Sequence, residues 1–128
     1  MHPPRVLIAS ADQRSRTLLR AELRELGYDA IGASSLASGL RHPAVEGDRG
    51  PVRLVIADDR TAAVPALLER ARAQYAGSRF LLIQRGAGAP PPGSWDKVLR
   101  RPVTIGEIVA AVRELAPLPP ELRGPIDR

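Results

Sequence analysis

The chain has 128 residues, of which 44% are hydrophobic and 3% are aromatic, and its formal net charge is +5. This composition excludes a disordered chain and predicts a single globular domain with an aliphatic core. The absence of cysteine excludes disulfides and thiolate metal sites, and it favours a cytoplasmic location.

The positive charge comes almost entirely from arginine, because Lys97 is the only lysine. The arginines are spread along the whole chain, and no set of aromatic residues accompanies them. A nucleic-acid interface is expected to show a clustered basic stripe, so this pattern argues against nucleic acid as a partner. The apolar run Val6 to Ala9 is too short to span a bilayer, and we expect no membrane contact.

Short aliphatic runs alternate with segments of helical periodicity. The runs predicted to be strands cover residues 5–9, 28–33, 53–57, 79–83 and 97–99. The segments predicted to be helices cover residues 13–26, 34–42, 64–71 and 104–115. Residues 43–51 are rich in glycine and proline and are predicted to be a loop. Residues 84–94 contain three consecutive prolines, which remove backbone donors and exclude an ordinary helix.

This alternation predicts an α/β fold. We expect a doubly wound, five-stranded parallel sheet with helices on both faces, a flavodoxin-like three-layer sandwich in which the fourth helix is shortened or missing. Residues 1–116 are predicted to form this domain, and residues 117–128 a proline-rich C-terminal tail. Functional sites in such sheets lie at the carboxyl ends of the strands.

Polar residues follow most of the predicted strand ends. In chain order, the residues at these ends are Ser10, Ala11, Asp12, Asp58, Gln84, Arg101 and Pro102. Asp12 is also placed to cap the first predicted helix, because aspartate is a preferred N-cap residue. The carboxylate of Asp58, at the end of an unbroken apolar run, is the candidate with the clearest potential for chemistry.

Three stretches, VLIASADQRSRTLLRAELRELGY, RLVIADD and RRPVTIGEIVAAV, resemble the receiver domain of two-component response regulators. The resemblance covers about residues 5–115. In that family the first strand ends in an acidic pair that helps to hold Mg²⁺, and the third ends in the phosphoacceptor aspartate. The fourth strand ends in Thr or Ser, and the fifth in Lys followed by Pro. The resemblance implies a CheY-like fold and a place in bacterial phosphorelay signalling.

The family's key positions are mostly occupied by other residues in this chain. Asp58 takes the phosphoacceptor position, Ser10 and Ala11 take the acidic pair with Asp12 one residue further on, Gln84 takes the hydroxyl position, and Arg101 takes the lysine position before Pro102. Mg²⁺ is usually bound through carboxylates and waters, and phosphoryl transfer needs its charge. No metal or other cofactor is therefore expected, with Asp12 and Asp58 as the remaining candidate ligands.

These substitutions favour a degenerate receiver, or pseudo-receiver, that is not an enzyme. It is expected to bind a signalling kinase or an output protein independently of phosphorylation. The expected surface is the fifth strand and the last helix, which also offer a face for a homodimer. The alternative is a functional receiver phosphorylated on Asp58 with Mg²⁺ as cofactor. In the metal-free interpretation, Arg101 or Arg60 is expected to pair directly with Asp58.

Overall fold

The computed structural model describes residues 2–120. The strands are β1 (Arg5–Ala9), β2 (Asp29–Ala33), β3 (Val45–Glu46), β4 (Gly50–Asp58), β5 (Arg79–Gln84) and β6 (Lys97–Arg100). The helices are α1 (Gln13–Glu25), α2 (Leu36–Gly39), α3 (Pro65–Gln74) and α4 (Ile105–Leu115). Two short 3₁₀ turns cover Gly47–Arg49 and Thr61–Ala63.

Five of the strands form a parallel sheet in the order β2-β1-β4-β5-β6. The prediction of a doubly wound α/β fold is confirmed. Since all five strands run in one direction, their carboxyl ends meet at a single edge, which is where a site is expected. The segment predicted as a loop contains a short hairpin, in which β3 pairs antiparallel with β4. A two-residue strand is too short to show the alternation that identifies strands in a sequence.

The sheet is buried on both faces, which explains why its strands are continuous apolar runs. On one face α1 and α4 pack against it, and this half of the core includes Leu23, Leu54 and Val112. On the other face α2 and α3 contribute Leu36 and Leu68. All five of these side chains are at most 3% exposed. The core is therefore aliphatic, as the composition predicts.

Side-chain caps fix where the two longest helices begin. Asp12 caps α1, because its Oδ1 accepts a hydrogen bond from the Ser15 backbone N at 3.2 Å. This confirms the predicted capping role of Asp12. Thr104 and Glu107 form a reciprocal capping box at the start of α4. Gly27 follows α1 with a φ of 106°, a conformation that glycine adopts without a steric penalty and that ends the helix.

No helix connects β5 and β6 in the described chain, in agreement with the three prolines there. A stack of side chains holds this connection against the sheet instead. The Arg72 guanidinium lies 4.9 Å from the ring centroid of Phe80 and 4.8 Å from that of Trp95. It also donates a hydrogen bond to the Ser94 carbonyl, and Trp95 Nε1 donates to the Pro91 carbonyl at 2.9 Å. Arg72 thus links α3 to the proline-rich connection.

Replacing Arg72 with alanine is expected to lower the free energy of unfolding by about 1–2 kcal/mol, because a partly desolvated cation loses contact with two aromatic rings. Trp95 is the sole tryptophan, so its fluorescence reports directly on this stack. We expect a red-shifted emission in Arg72→Ala and an unchanged spectrum in Arg70→Ala, which alters an exposed residue of the same helix. Identical spectra for the two variants would contradict this role of Arg72.

A cluster of two arginines and two carboxylates ties the hairpin to the amino ends of β1 and β2. The side chain of Arg5 is fully buried, and it contacts Glu46 at 3.2 Å and Asp29 at 3.9 Å. It also donates a hydrogen bond to the Gly50 carbonyl at 2.9 Å. Arg49 binds Asp29 through two hydrogen bonds, of 2.8 and 3.0 Å, and Glu46 through one of 3.1 Å. Each carboxylate is therefore shared by two guanidinium groups.

This cluster predicts a specific dependence of stability on pH. The Arg49 hydrogen bonds hold the pKa of Asp29 below its usual value, with the charges of Arg49 and Arg5 adding to the effect. A depressed pKa contributes stability that is present above the unfolded pKa of about 3.9 and is lost as the pH falls through the folded pKa. Urea denaturation from neutral pH into acid should show a shallower loss of stability for Asp29→Asn than for the wild type. Parallel curves would contradict this contribution.

Within residues 2–120, no helix combines the length and the apolar character that crossing a bilayer requires. The division of the chain at residue 116 stays a prediction. Leu118, just beyond it, is 8% exposed and belongs to the same half of the core as α4. Residues 121–128 of the predicted tail lie outside the described residues.

Candidate functional site

Asp58 is the last residue of β4, and its side chain lies at the carboxyl edge of the sheet with 5% exposure. Each of its carboxylate oxygens accepts a hydrogen bond from an uncharged donor. Ser10 Oγ donates to Oδ2 at 2.9 Å, and the Thr61 backbone N donates to Oδ1 at 2.8 Å. The predicted site residues Ser10 and Asp58 are thus in direct contact, through the Ser10 hydroxyl group.

Thr61 is a residue of this site that the sequence reasoning missed. It lies in the 3₁₀ turn after β4, and its hydroxyl is 3.2 Å from the Ala9 carbonyl and 3.0 Å from that of Asp58. The Asp58 side chain accepts a hydrogen bond from the Thr61 backbone N at the start of this turn. Aspartate often forms this kind of hydrogen bond where a turn begins. An aspartate three residues before a threonine was the available signal. The turn fixes the orientation of the Asp58 carboxylate.

The expected pairing of Asp58 with Arg101 or Arg60 is wrong. None of the ion pairs among residues 2–120 involves Asp58, and both arginines are exposed. Ser10 and Thr61 already occupy one acceptor site on each carboxylate oxygen. An additional guanidinium contact would require ordering a long side chain, which costs conformational entropy.

Asp12 is directed towards α1 and is not hydrogen-bonded to Asp58. Its Oδ1 accepts from the Ser15 backbone N, and its Oδ2 accepts from Ser15 Oγ at 3.0 Å. These hydrogen bonds lower the pKa of Asp12, so the carboxylate stays ionised in its capping role. The Asp12 backbone N donates to Ser10 Oγ at 3.2 Å, which orients that hydroxyl. Ala11 is exposed and has no side-chain donor or acceptor.

The remaining predicted site residues lie at the ends of β5 and β6. Gln84 is 2% exposed, and its Nε2 donates to the Gly88 carbonyl at 3.0 Å, so it binds the proline-rich connection. Arg101 and Pro102 follow β6, are exposed, and are joined by a cis peptide bond. Arg101 lines the same cavity as Ser10 and Asp58. The structure therefore brings Arg101 to the site without a direct contact to the aspartate.

The neighbouring Asp59 has a structural role at this edge. Its Oδ2 accepts hydrogen bonds from the backbone N atoms of Arg85 and Gly86, both at 3.0 Å. Burial raises the pKa of Asp59, but the backbone donors, first Gly86 and then Arg85, outweigh it and leave the pKa below its usual value. Asp59 therefore fixes the start of the connection between β5 and β6.

The donor set at this edge does not fit a magnesium ion. Mg²⁺ requires near-octahedral oxygen ligands, usually one or two carboxylates completed by waters. Among the described residues, Ser10 Oγ donates to no carboxylate other than that of Asp58, and the Asp12 carboxylate accepts hydrogen bonds from Ser15. In the part of the chain that the structure describes, no group of three His, Cys, Asp or Glu residues could hold a metal.

Several solved structures that are similar to this chain over most of its length are receiver domains. The signal receiver domain of an HD domain-containing protein from Pseudomonas fluorescens Pf-5 is similar with a TM-score of 0.73 and 22% identity, over 89% of this chain and 94% of that chain. A response regulator receiver domain protein from Bacillus halodurans C-125 is similar with a TM-score of 0.70 and 21% identity, over 91% and 99%. A CheY-like receiver domain protein from Methanospirillum hungatei JF-1 has a TM-score of 0.70 and 18% identity, over 88% and 92%.

No protein-family model matches the sequence, and no curated protein matches it. The structural similarity establishes that the chain has the fold of response regulator receiver domains, the CheY-like flavodoxin fold that the sequence predicts. These similarities, at 18% to 22% identity, concern the fold and not the residues at the carboxyl edge. The fold alone therefore does not establish the chemistry of the site.

Proposed function

We propose that the chain is a degenerate receiver domain of two-component signalling, which acts through protein contacts and without phosphorylation. The observation that carries this proposal is the state of Asp58. Its buried carboxylate accepts hydrogen bonds from Ser10 Oγ and the Thr61 backbone N, both of them neutral donors. Phosphoryl transfer builds negative charge on the equatorial oxygens, which a metal ion and a positioned cation must neutralise. Neutral donors alone do not supply that charge.

The end of β5, which is the fourth strand of the parallel sheet in chain order, supports the same conclusion. Resemblance to the family places a Thr or Ser there, which responds to the phosphoryl group and shifts the neighbouring surface. Gln84 occupies this position, is buried, and has its side-chain amide bound to Gly88. The connection that follows is fixed by Asp59 and by the Arg72 stack. A domain built in this way presents one fixed surface.

We assign partner binding to β6 and α4. β6 is an edge strand that pairs only with β5 among the described strands, so its outer backbone groups are available. Leu99, Val103, Ile105 and Val109 pack against the core while remaining partly exposed. Lys97 and Glu114 join β6 to α4 through an ion pair of 2.6 Å. The partners that we propose for this face are a signalling kinase, an output protein or a second copy of the chain, and the location that we propose is the cytoplasm.

Incubation with a small phosphodonor and Mg²⁺, followed by intact mass measurement, tests the absence of phosphorylation. We expect no stable gain in mass for the wild type, as for Asp58→Asn. A gain of one phosphoryl group that disappears in Asp58→Asn would overturn the proposal and establish the alternative, a functional receiver with Asp58 as phosphoacceptor.

Sedimentation over a range of protein concentrations tests the proposed face. If two copies associate through it, Val109→Arg is expected to weaken the association at least about tenfold, since a charge would replace an apolar contact residue. Val64→Arg is the matched control, because Val64 is an exposed valine at the start of α3, outside this face. Equal weakening by both substitutions would contradict the assignment to β6 and α4, and a wild-type chain that stays monomeric would contradict the dimer.

A further inference from the structure

A cavity of about 180 Å³ opens beside Asp58, between α1, the sheet and the start of α4. Most of its wall is aliphatic, and it includes Ile8, Leu19, Ile56, Ile83, Ile105 and Ile108. An apolar cavity of roughly 150 Å³ in another protein is known to admit benzene, so a volume of this size accepts a small hydrocarbon group. The cavity is therefore large enough for a short aliphatic side chain.

One part of this cavity carries a negative charge that has no ion-pair partner among residues 2–120. The Asp58 carboxylate lines it, and both of its hydrogen bonds come from uncharged groups. Removing a carboxylate from water is costly unless an opposite charge compensates. Each oxygen retains capacity for a further hydrogen bond, because a carboxylate offers about four lone-pair sites. An ammonium group on a ligand would therefore complement the part of the cavity that Asp58 lines.

Two arginines also line the cavity. Within residues 2–120, the Arg101 side chain makes no hydrogen bond or ion pair, and it is exposed. Arg16 donates through Nη1 to the Ser10 carbonyl at 2.6 Å, and no other hydrogen bond of its guanidinium is formed in that part of the chain. Guanidinium groups recognise carboxylates through paired hydrogen bonds. The guanidinium groups of Arg16 and Arg101 would therefore complement a carboxylate group on a ligand.

We propose that this cavity binds a free α-amino acid with an aliphatic side chain. The ammonium group contacts Asp58, the carboxylate contacts Arg101, and the side chain lies against the aliphatic wall. An amine without a carboxylate would meet the positive charges of Arg16 and Arg101 unpaired, and a carboxylic acid without an ammonium group would face the charge of Asp58. Only a zwitterion with an apolar side chain complements all three parts of the cavity at once.

This inference rests on the proposed function in one respect, namely that the Asp58 carboxylate carries neither a phosphoryl group nor a metal. The ligand class is otherwise independent of which protein β6 and α4 contact. Since the ligand would lie between α1 and the start of α4, it would bridge the site and the proposed contact face. Ligand binding would then provide the domain with an input that does not require phosphorylation.

A titration of the full chain with L-leucine, followed by ¹H–¹⁵N NMR, tests the proposal. We expect saturable shifts at the backbone amides of Ser10, Asp58 and Val103. Isoamylamine lacks the carboxylate and isocaproate lacks the ammonium group, and both are expected to bind more weakly than leucine. Arg101→Gln is expected to weaken leucine binding about 10- to 100-fold, because a charged hydrogen-bond partner is lost. Arg20→Gln, which alters an exposed residue of α1 outside the cavity, should bind like the wild type.

The absence of saturable shifts with leucine would overturn the proposal, as would equal binding of either analogue or an unchanged affinity in Arg101→Gln. Arg101 is exposed, so its substitution is not expected to compromise folding. The phosphodonor experiment is independent of this titration. A chain that fails to bind leucine but gains no mass refutes the amino-acid site alone, whereas a chain that gains an Asp58-dependent phosphoryl group refutes the proposed function.

Discussion

Replacing Arg5 with alanine is expected to lower the free energy of unfolding by about 3 kcal/mol, the largest stability effect among the charged residues considered. The side chain is fully buried, and its truncation leaves a cavity beneath the hairpin. It also leaves the Gly50 carbonyl without its donor, and it removes one of two guanidinium groups from Glu46 and Asp29. Chemical denaturation gives the value directly.

A second variant separates the charge of Arg5 from its volume. Arg5→Met keeps most of the buried stem and removes the cost of burying a charge, so we expect it to lose only about 1–2 kcal/mol. Arg53→Ala is the control, because this arginine is exposed on β4 and its loss is expected to stay within about 0.5 kcal/mol. If Arg5→Ala is no more harmful than Arg53→Ala, the cluster does not hold the hairpin.

Rebuilding the acidic site is expected to have the largest functional effect. The variant combines Ser10→Asp, Ala11→Asp, Gln84→Thr and Arg101→Lys, and leaves Asp58 in place. Ser10→Asp replaces the hydroxyl group that donates to Asp58 Oδ2 by a carboxylate, and Ala11→Asp adds another carboxylate at the next position. Without a metal ion, these carboxylates and that of Asp58 repel one another. Mg²⁺ should restore stability, by about 2.7 kcal/mol at a hundredfold excess over its dissociation constant.

Thermal unfolding with and without Mg²⁺ measures this gain, and intact mass after phosphodonor treatment measures phosphorylation. We expect the rebuilt chain to respond in both experiments and the wild type in neither. Adding Asp58→Asn to the rebuilt chain should abolish the mass gain, which assigns it to that carboxylate. If the rebuilt chain responds to Mg²⁺ no more than the wild type does, the carboxylates at positions 10 and 11 do not determine whether this site binds the metal.

The parallel sheet could be predicted because its signals are local. The run at residues 79–83 is apolar enough to be buried on both faces, and it forms β5 at Arg79–Gln84. The prolines after it exclude a helix by the loss of backbone donors, and the structure has none there among the described residues. The role of Asp12 as the N-cap of α1 could be predicted from its residue type and its position before the helix.

The cluster around Arg5 could not be predicted, because its members are distant in the sequence. An arginine at the start of an apolar run is expected at the surface, since charged residues are rarely buried unless they are paired. Its partners are Asp29, on a different strand, and Glu46, in a hairpin too short to show a pattern. Burial of Arg5 therefore depends on tertiary contacts that periodicity does not report.

The site could be predicted only in part, because its hydrogen bonds also join residues that are distant in the sequence. The resemblance to receiver domains places Ser10 and Ala11 where that family has an acidic pair, and the carboxyl edge does bring Ser10, Asp58 and Arg101 to one cavity. The sequence does not show which donor reaches Asp58. Short-range donors on rigid elements, the Ser10 hydroxyl and the Thr61 backbone N, are favoured over the guanidinium groups that charge alone suggested, since they need no long side chain to be ordered.

The most direct test of this account is a titration of the wild-type chain with Mn²⁺ as a paramagnetic substitute for Mg²⁺, monitored through the backbone amides by NMR. The central claim is that internal, uncharged donors occupy the Asp58 carboxylate and that it binds no divalent cation. We predict no selective broadening at the carboxyl edge of the sheet. Saturable broadening centred on the amides of Ser10, Asp58 and Thr61, reversed by excess Mg²⁺, would contradict the claim.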